Sequence, residues 1–180
     1  MTQLRQSEQK ELNVTVDLSK PETMINFAKT LKQVIIENHL YVDIKGKNYV
    51  LVEGWQFLGG MLGVVAKSDG LEDISTDNEI RYKARATLIR LSDGAEIGSA
   101  EAMCSKNEKG KGAFEEYAVA SMAQTRAIGK AYRLAFGWIV KMAGYEATPA
   151  EEVNSDLVNA DGEEQTEDEF IKETKEAVNV

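Results

Sequence analysis

The chain has 180 residues, 43% of them hydrophobic and 28% charged, with a formal net charge of −9; this suffices for one domain with a sizeable core and falls short of what two usually need. A single cysteine, Cys104, and a single histidine, His39, exclude an internal disulfide and a structural zinc site. The first ten residues lack an apolar signal core and no apolar run approaches the ~20 residues that cross a bilayer, so an intracellular, cytoplasmic protein without a membrane partner is expected, and Asn13-Val14-Thr15 is a chance sequon.

Residues 1–19 read as a polar N-terminal arm, with the alternation Leu12, Val14, Val16, Leu18 as a candidate edge strand. Ser19-Lys20-Pro21-Glu22 has the order of a helix start: a capping serine, a proline suited to the first turn and an acidic residue at the positive end. A helix is expected over 21–38, with Met24, Phe27, Leu31, Val34 and Ile35 at helical spacing. Residues 40–44 and 49–52, around Lys45-Gly46-Lys47-Asn48, predict a hairpin. Residues 53–63 follow as a short helix whose Gly59, Gly60 and Gly63 imply close backbone packing. They lack the spacing of a phosphate-cradling loop, as does Gly110-Lys111-Gly112.

Residues 67–79 read as a polar, acidic loop. From Ile80 strict alternation sends Tyr82, Ala84, Ala86 and Leu88 to one side and Arg81, Lys83, Arg85 and Thr87 to the other, the pattern of a half-buried strand with a cationic face. Ser92-Asp93-Gly94 turns it into a second strand over 96–104, in which Cys104 is a small apolar residue rather than a nucleophile. One long helix is expected over 114–145, largely buried, with Arg126, Lys130, Arg133 and Lys141 on an open stripe. The fold class is α+β: a single domain over 20–147, then an acidic tail over 148–180 that is expected to be disordered.

The charge is unevenly placed. Residues 151–180 carry eleven acidic and two basic side chains, while 81–141 carry eleven basic and six acidic ones. Arg81, Lys83 and Arg85 on a strand, with Arg126, Lys130, Arg133 and Lys141 on a helix, would follow a phosphate backbone if both rows lined one groove. Nothing in them reads bases, so sequence-independent binding is implied. No carboxylate set has the context of an active site, and Glu79-Ile80-Arg81-Tyr82-Lys83 has the wrong spacing for a nuclease. Neither a catalytic residue, a metal nor a cofactor is expected.

Tyr49-Val50-Leu51-Val52-Glu53-Gly54-Trp55-Gln56, continuing to Met61-Leu62-Gly63, resembles the strand-then-helix segment of the eukaryotic Rad-type annealing protein of double-strand-break repair. The Asp93-Gly94 hairpin and the helix with Lys130-Ala131-Tyr132-Arg133 and Phe136-Gly137 are similar to that family's β-β-β-α core, over residues 40–145. The segment SMAQTRA…GYEATPAEE, from Ser121 to Glu152, resembles small phage recombination proteins. The resemblance is to the single-strand annealing superfamily, including phage proteins of the Erf, RecT and Red-beta types. It implies an antiparallel sheet packed on a long C-terminal helix, and an oligomeric ring or filament that binds single-stranded DNA and anneals it without ATP in recombination and repair. Lys130 and Arg133 match the family's phosphate-contacting residues; Arg126 has no counterpart. The acidic tail would compete with DNA or recruit a host single-strand-binding protein or phage exonuclease, or would only add solubility. A single-strand-binding module without annealing activity and a protein-interaction domain remain open.

Overall fold

The structure, a computed structural model, describes residues 20–153. The expected arm, with its candidate strand and the capping Ser19, and the tail beyond 153 lie outside the described residues. Helix α1 (Pro21–Glu37) starts with proline, whose missing N–H costs nothing in a first turn, and has Glu22 at its positive end. It buries Phe27, Ala28, Leu31 and Ile35.

Strands β1 (Tyr41–Ile44) and β2 (Lys47–Val50) form the expected hairpin. Lys45 and Gly46 make a two-residue turn with φ of 54° and 75°, the left-handed pair whose twist matches that of the flanking strands. The second strand has the expected length but lies two residues earlier, since Lys47 and Asn48 pair in the hairpin and Val52 already belongs to α2 (Val52–Met61). Trp55 and Leu58 of α2 are fully buried, and the Trp55 indole Nε1 donates to the Val50 carbonyl at 3.2 Å.

The main sheet has three antiparallel strands in the order β3 (Val64–Asp73), β4 (Arg81–Arg90), β5 (Glu96–Ser105). The first corrects the expectation of a loop over 67–79, of which only the part after Asp73 is outside a strand. Residues 67–73 are all exposed, so no alternation of apolar and polar residues marks them. Backbone pairing to β4 holds them instead, through a register shift at Ser68/Gly70.

Helix α3 (Glu116–Met142) lies across one face of this sheet. Its ridge Val119, Ala123, Ala127, Ala131 is buried, as are Ala84, Ala86, Leu88 and Ala100 of the sheet. Small side chains on both surfaces let helix and sheet approach closely. Cys104 is buried there too, and burial pushes its thiol upward in pKa.

The chain then turns back. Gly144 adopts a φ of 94°, Tyr145 is buried beside Tyr41 with ring centroids 5.6 Å apart, and the Glu146 amide donates to the Asn48 carbonyl at 2.8 Å. Residues 147–152 run along α3 as a strap. Pro149 is fully buried, and a Cβ at Gly129 would stand 3.1 Å from its ring carbons. A Cβ at Gly137 would stand 3.6 Å from Ala147. The strap ends in a 3₁₀ turn (Ala150–Glu152). The packed body therefore runs past residue 147. None of the described helices is long and apolar enough to cross a membrane.

Candidate nucleic-acid interface

The two cationic rows sit on different sides of the molecule. On β4, Ala84 and Ala86 face α3, so Arg81, Lys83 and Arg85 point to the opposite face, which no other described element covers. The stripe on α3 instead runs past the free edge of β5 and under the strap. The rows do not line one groove.

Each of the seven cations has a partner. On the open sheet face Arg81 meets Glu79 at 3.1 Å, Lys83 meets Glu72 at 2.6 Å, and Arg85 meets Glu101 at 3.6 Å and Ser99 Oγ at 3.2 Å. Between β3 and β5 this face dips into a shallow hollow of about 190 Å³ lined by Gly70, Glu72, Lys83, Arg85 and Glu101. Next to it Thr87 donates to Asp69, whose carboxyl is held below its usual pKa chiefly by that bond.

On α3, Lys130 Nζ donates to the Glu101 carbonyl at 3.1 Å. Arg133 pairs with Glu152 at 3.1 Å, and Lys141 with Glu146 at 3.1 Å. Glu101 is thus the meeting point of the rows: its carboxylate faces Arg85 and its carbonyl holds Lys130.

Arg126 differs in kind. Its side chain is only 11% exposed, and its guanidinium forks onto Glu108 with contacts of 2.9 and 2.8 Å. It also donates to the Met103 carbonyl at 3.0 Å and, through Nε, to the Glu151 carbonyl at 2.8 Å. Glu108 further accepts from Lys111 at 2.7 Å and from the Ser105 amide at 2.9 Å. Burial alone would raise the Glu108 carboxyl, but these donors overcome it and bring the pKa down to about 2. Arg126 therefore joins β5, the loop after it, α3 and the strap, and presents no open charge.

Sequence patterning passed over three carboxylates. Glu108 lies in Lys106-Asn107-Glu108-Lys109-Gly110-Lys111, which has the composition of a solvated loop. Glu151 and Glu152 open the acidic tail, where composition suggests solvent, yet they meet Arg126 and Arg133 of α3. Glu151 Oε1 accepts from the Val52 amide at 2.9 Å, at the N-terminus of α2. Glu151 Oε2 and Glu152 Oε1 are buried and receive no hydrogen bond among the described residues.

Burial raises the pKa of both strap glutamates, against the Val52 amide at Glu151 and against Arg133, Lys130 and Arg126 at Glu152. An acid with a raised folded pKa binds protons more readily folded than unfolded. These two therefore add stability as pH falls from neutral through the raised values toward 4.5. Glu108 has the opposite sign, contributing fully above 4.5 and losing its contribution as pH falls toward about 2. Glu151→Gln keeps an acceptor for Val52 and removes a desolvated charge. It should leave stability at pH 7 unchanged or raise it by up to about 1 kcal/mol. Urea unfolding at pH 7 and pH 5 checks this: the gap between variant and wild type should narrow at the lower pH, and a loss above about 1 kcal/mol at pH 7 would refute it.

Among the described residues no three His, Cys, Asp or Glu side chains converge as metal ligands. No protein-family model matches the chain, and no curated protein matches it in sequence at a significant level.

Proposed function

We propose that this chain binds single-stranded DNA along the open face of the β3-β4-β5 sheet and, as an oligomer, anneals complementary strands without ATP. The observation that carries the reading is the row Arg81, Lys83, Arg85, one cation every second residue on an uncovered face. Along a strand that spacing is about 7 Å, a repeat that an extended nucleic-acid backbone can follow. The partners of Lys83 and Arg85 on this face, Glu72 and Glu101, are solvent-exposed, and such ion pairs contribute about 0–1 kcal/mol each and exchange readily for phosphates. The β-β-β-α order and the resemblance to annealing proteins support the same reading.

The route proposed for the strand runs from Lys83 and Arg85 over the β5 edge at Glu101 to Lys130. Arg133 joins it when Glu152 withdraws. Arg126 is left out, its donors being occupied within the fold.

The test is binding of fluorescent poly-dT at two salt concentrations, with annealing followed in the same tubes. Lys83→Ala/Arg85→Ala should stay folded, bind more weakly and flatten the slope of log affinity against log salt by about 1.4, at roughly 0.7 per lost phosphate contact. Binding without annealing would favour a single-strand-binding module. Wild type without salt-sensitive binding would sink the nucleic-acid reading, and Glu72 and Glu101, which neutralise the row, would then point to a protein-interaction domain.

A further inference from the structure

One end of α3 presents a different surface. Leu134, Trp138 and Met142, at four-residue spacing, are 65%, 45% and 46% exposed, and so form an apolar stripe on the solvent side of the helix. At its C-terminal end Met142 meets α1 across a groove of about 320 Å³, lined by Ile25, Ala28, Lys29, Lys32 and Ala143. Ile25 is itself 47% exposed. Lys29 and Lys32 have no carboxylate within ion-pair distance among the described residues, unlike Lys83, Arg85, Arg133 and Lys141. The groove thus combines exposed apolar side chains with two uncompensated positive charges on one rim.

We infer that this groove is the docking site of the chain's own acidic segment, residues 163–171. That segment reads Glu163-Glu164-Gln165-Thr166-Glu167-Asp168-Glu169-Phe170-Ile171, with five carboxylates, no cation and two large apolar residues directly after the acidic run. Its charge complements Lys29 and Lys32, and Phe170-Ile171 complement Ile25 and Met142. A second copy docking the same groove on itself would bring two lysine rims together and be repelled.

The connection is long enough. Glu152 is fixed to Arg133, which precedes Met142 by nine residues, or about 14 Å of helix. Phe170 lies seventeen residues beyond Val153, a distance of up to about 56 Å when extended. Tethering makes the docking intramolecular, so modest contacts suffice at the millimolar effective concentration of a short linker.

The test uses the full chain, without DNA, carrying a photo-crosslinking benzoylphenylalanine at Met142 and, in a second variant, at Phe57, an exposed α2 residue. Mass spectrometry on a mixture of isotopically light and heavy protein separates links within a chain from links between chains. The expected result is a link from position 142 to residues 163–175 of the same chain. It should fall several-fold in about 0.5 M salt and in Lys29→Glu/Lys32→Glu, and position 57 should give little of it. Equal yields from positions 142 and 57, links to another copy, or none into 163–175 would overturn the inference. Because no nucleic acid is present, either outcome is independent of the proposed DNA binding.

Discussion

Arg126→Ala should lower the stability of the fold by about 3 kcal/mol, near the lower end of what removing one partner of a buried ion pair costs. The loss has three parts. Glu108 keeps Lys111 and the Ser105 amide but loses both forked bonds from Arg126. The Met103 carbonyl loses its donor on the edge of β5, and the Glu151 carbonyl loses a donor that, with the Arg133–Glu152 pair, ties the strap to α3. The value stays below the extreme because the Glu108 side chain is 29% exposed and water can reach it. Urea or thermal unfolding measures the effect; a change under about 0.5 kcal/mol would show that the network is not what holds these elements together. Any DNA-binding defect of this variant should disappear at temperatures where it is still folded, which would separate Arg126 from Lys83 and Arg85.

The second large effect is a reversal of sign between neighbouring glycines of α2. A Cβ at Gly59 would fall 2.8 Å from Cζ and Oη of Tyr132, whose ring is 2% exposed and has little room to retreat. Gly59→Ala should therefore cost about 2–3 kcal/mol, as overpacked core substitutions do. A Cβ at Gly60 would meet nothing within 4 Å. Gly60→Ala should instead stabilise by about 0.4–1 kcal/mol, through the lower entropy of the unfolded chain and the better helix propensity of alanine. Denaturant midpoints of the two variants decide it. Equal shifts of the same sign would mean that α2 does not lie against α3 as described.

The same pair shows how far local pattern reaches. The cluster Gly59-Gly60-Gly63 pointed to close packing, which holds for Gly59 alone; Gly60 is open, and Gly63 serves a turn with a φ of 66°. Which glycine touches a neighbour depends on Tyr132, 73 residues beyond Gly59, and no local window contains that information. Periodicity succeeded where one face is buried, as in α1 and in β4 from Arg81 to Arg90. It failed on β3, because an edge strand with exposed residues from 67 to 73 is specified by backbone pairing rather than by side chains.

For the candidate interface, alternation put Arg81, Lys83 and Arg85 on one face correctly. It had no means of telling that α3 would take the other face. The four α3 cations share a stripe at 100° per residue, yet their surroundings diverge along the helix: a buried fork at Arg126, a strand carbonyl at Lys130, a strap carboxylate at Arg133. Tertiary neighbours decide which charges remain available, and the residues supplying them, Glu108, Glu151 and Glu152, lie in segments whose composition suggested solvent.

The two α3 cations that reach β5 also bear on how sheets of separate chains can join. A strand edge is a row of unspent peptide groups, open to whichever chain arrives first. Along β5 two of those groups, the carbonyls of Glu101 and Met103, are already taken by Lys130 and Arg126. Along β3 no second strand is present among the described residues, although its register shift and the charges of Lys67 and Asp69 make it an uneven template. Among the described residues the sheet therefore has one margin with two carbonyls taken and one margin without a paired strand. Growth by strand addition would be one-sided, and a chain that offered its β3 margin to another β3 would close a pair rather than extend a row.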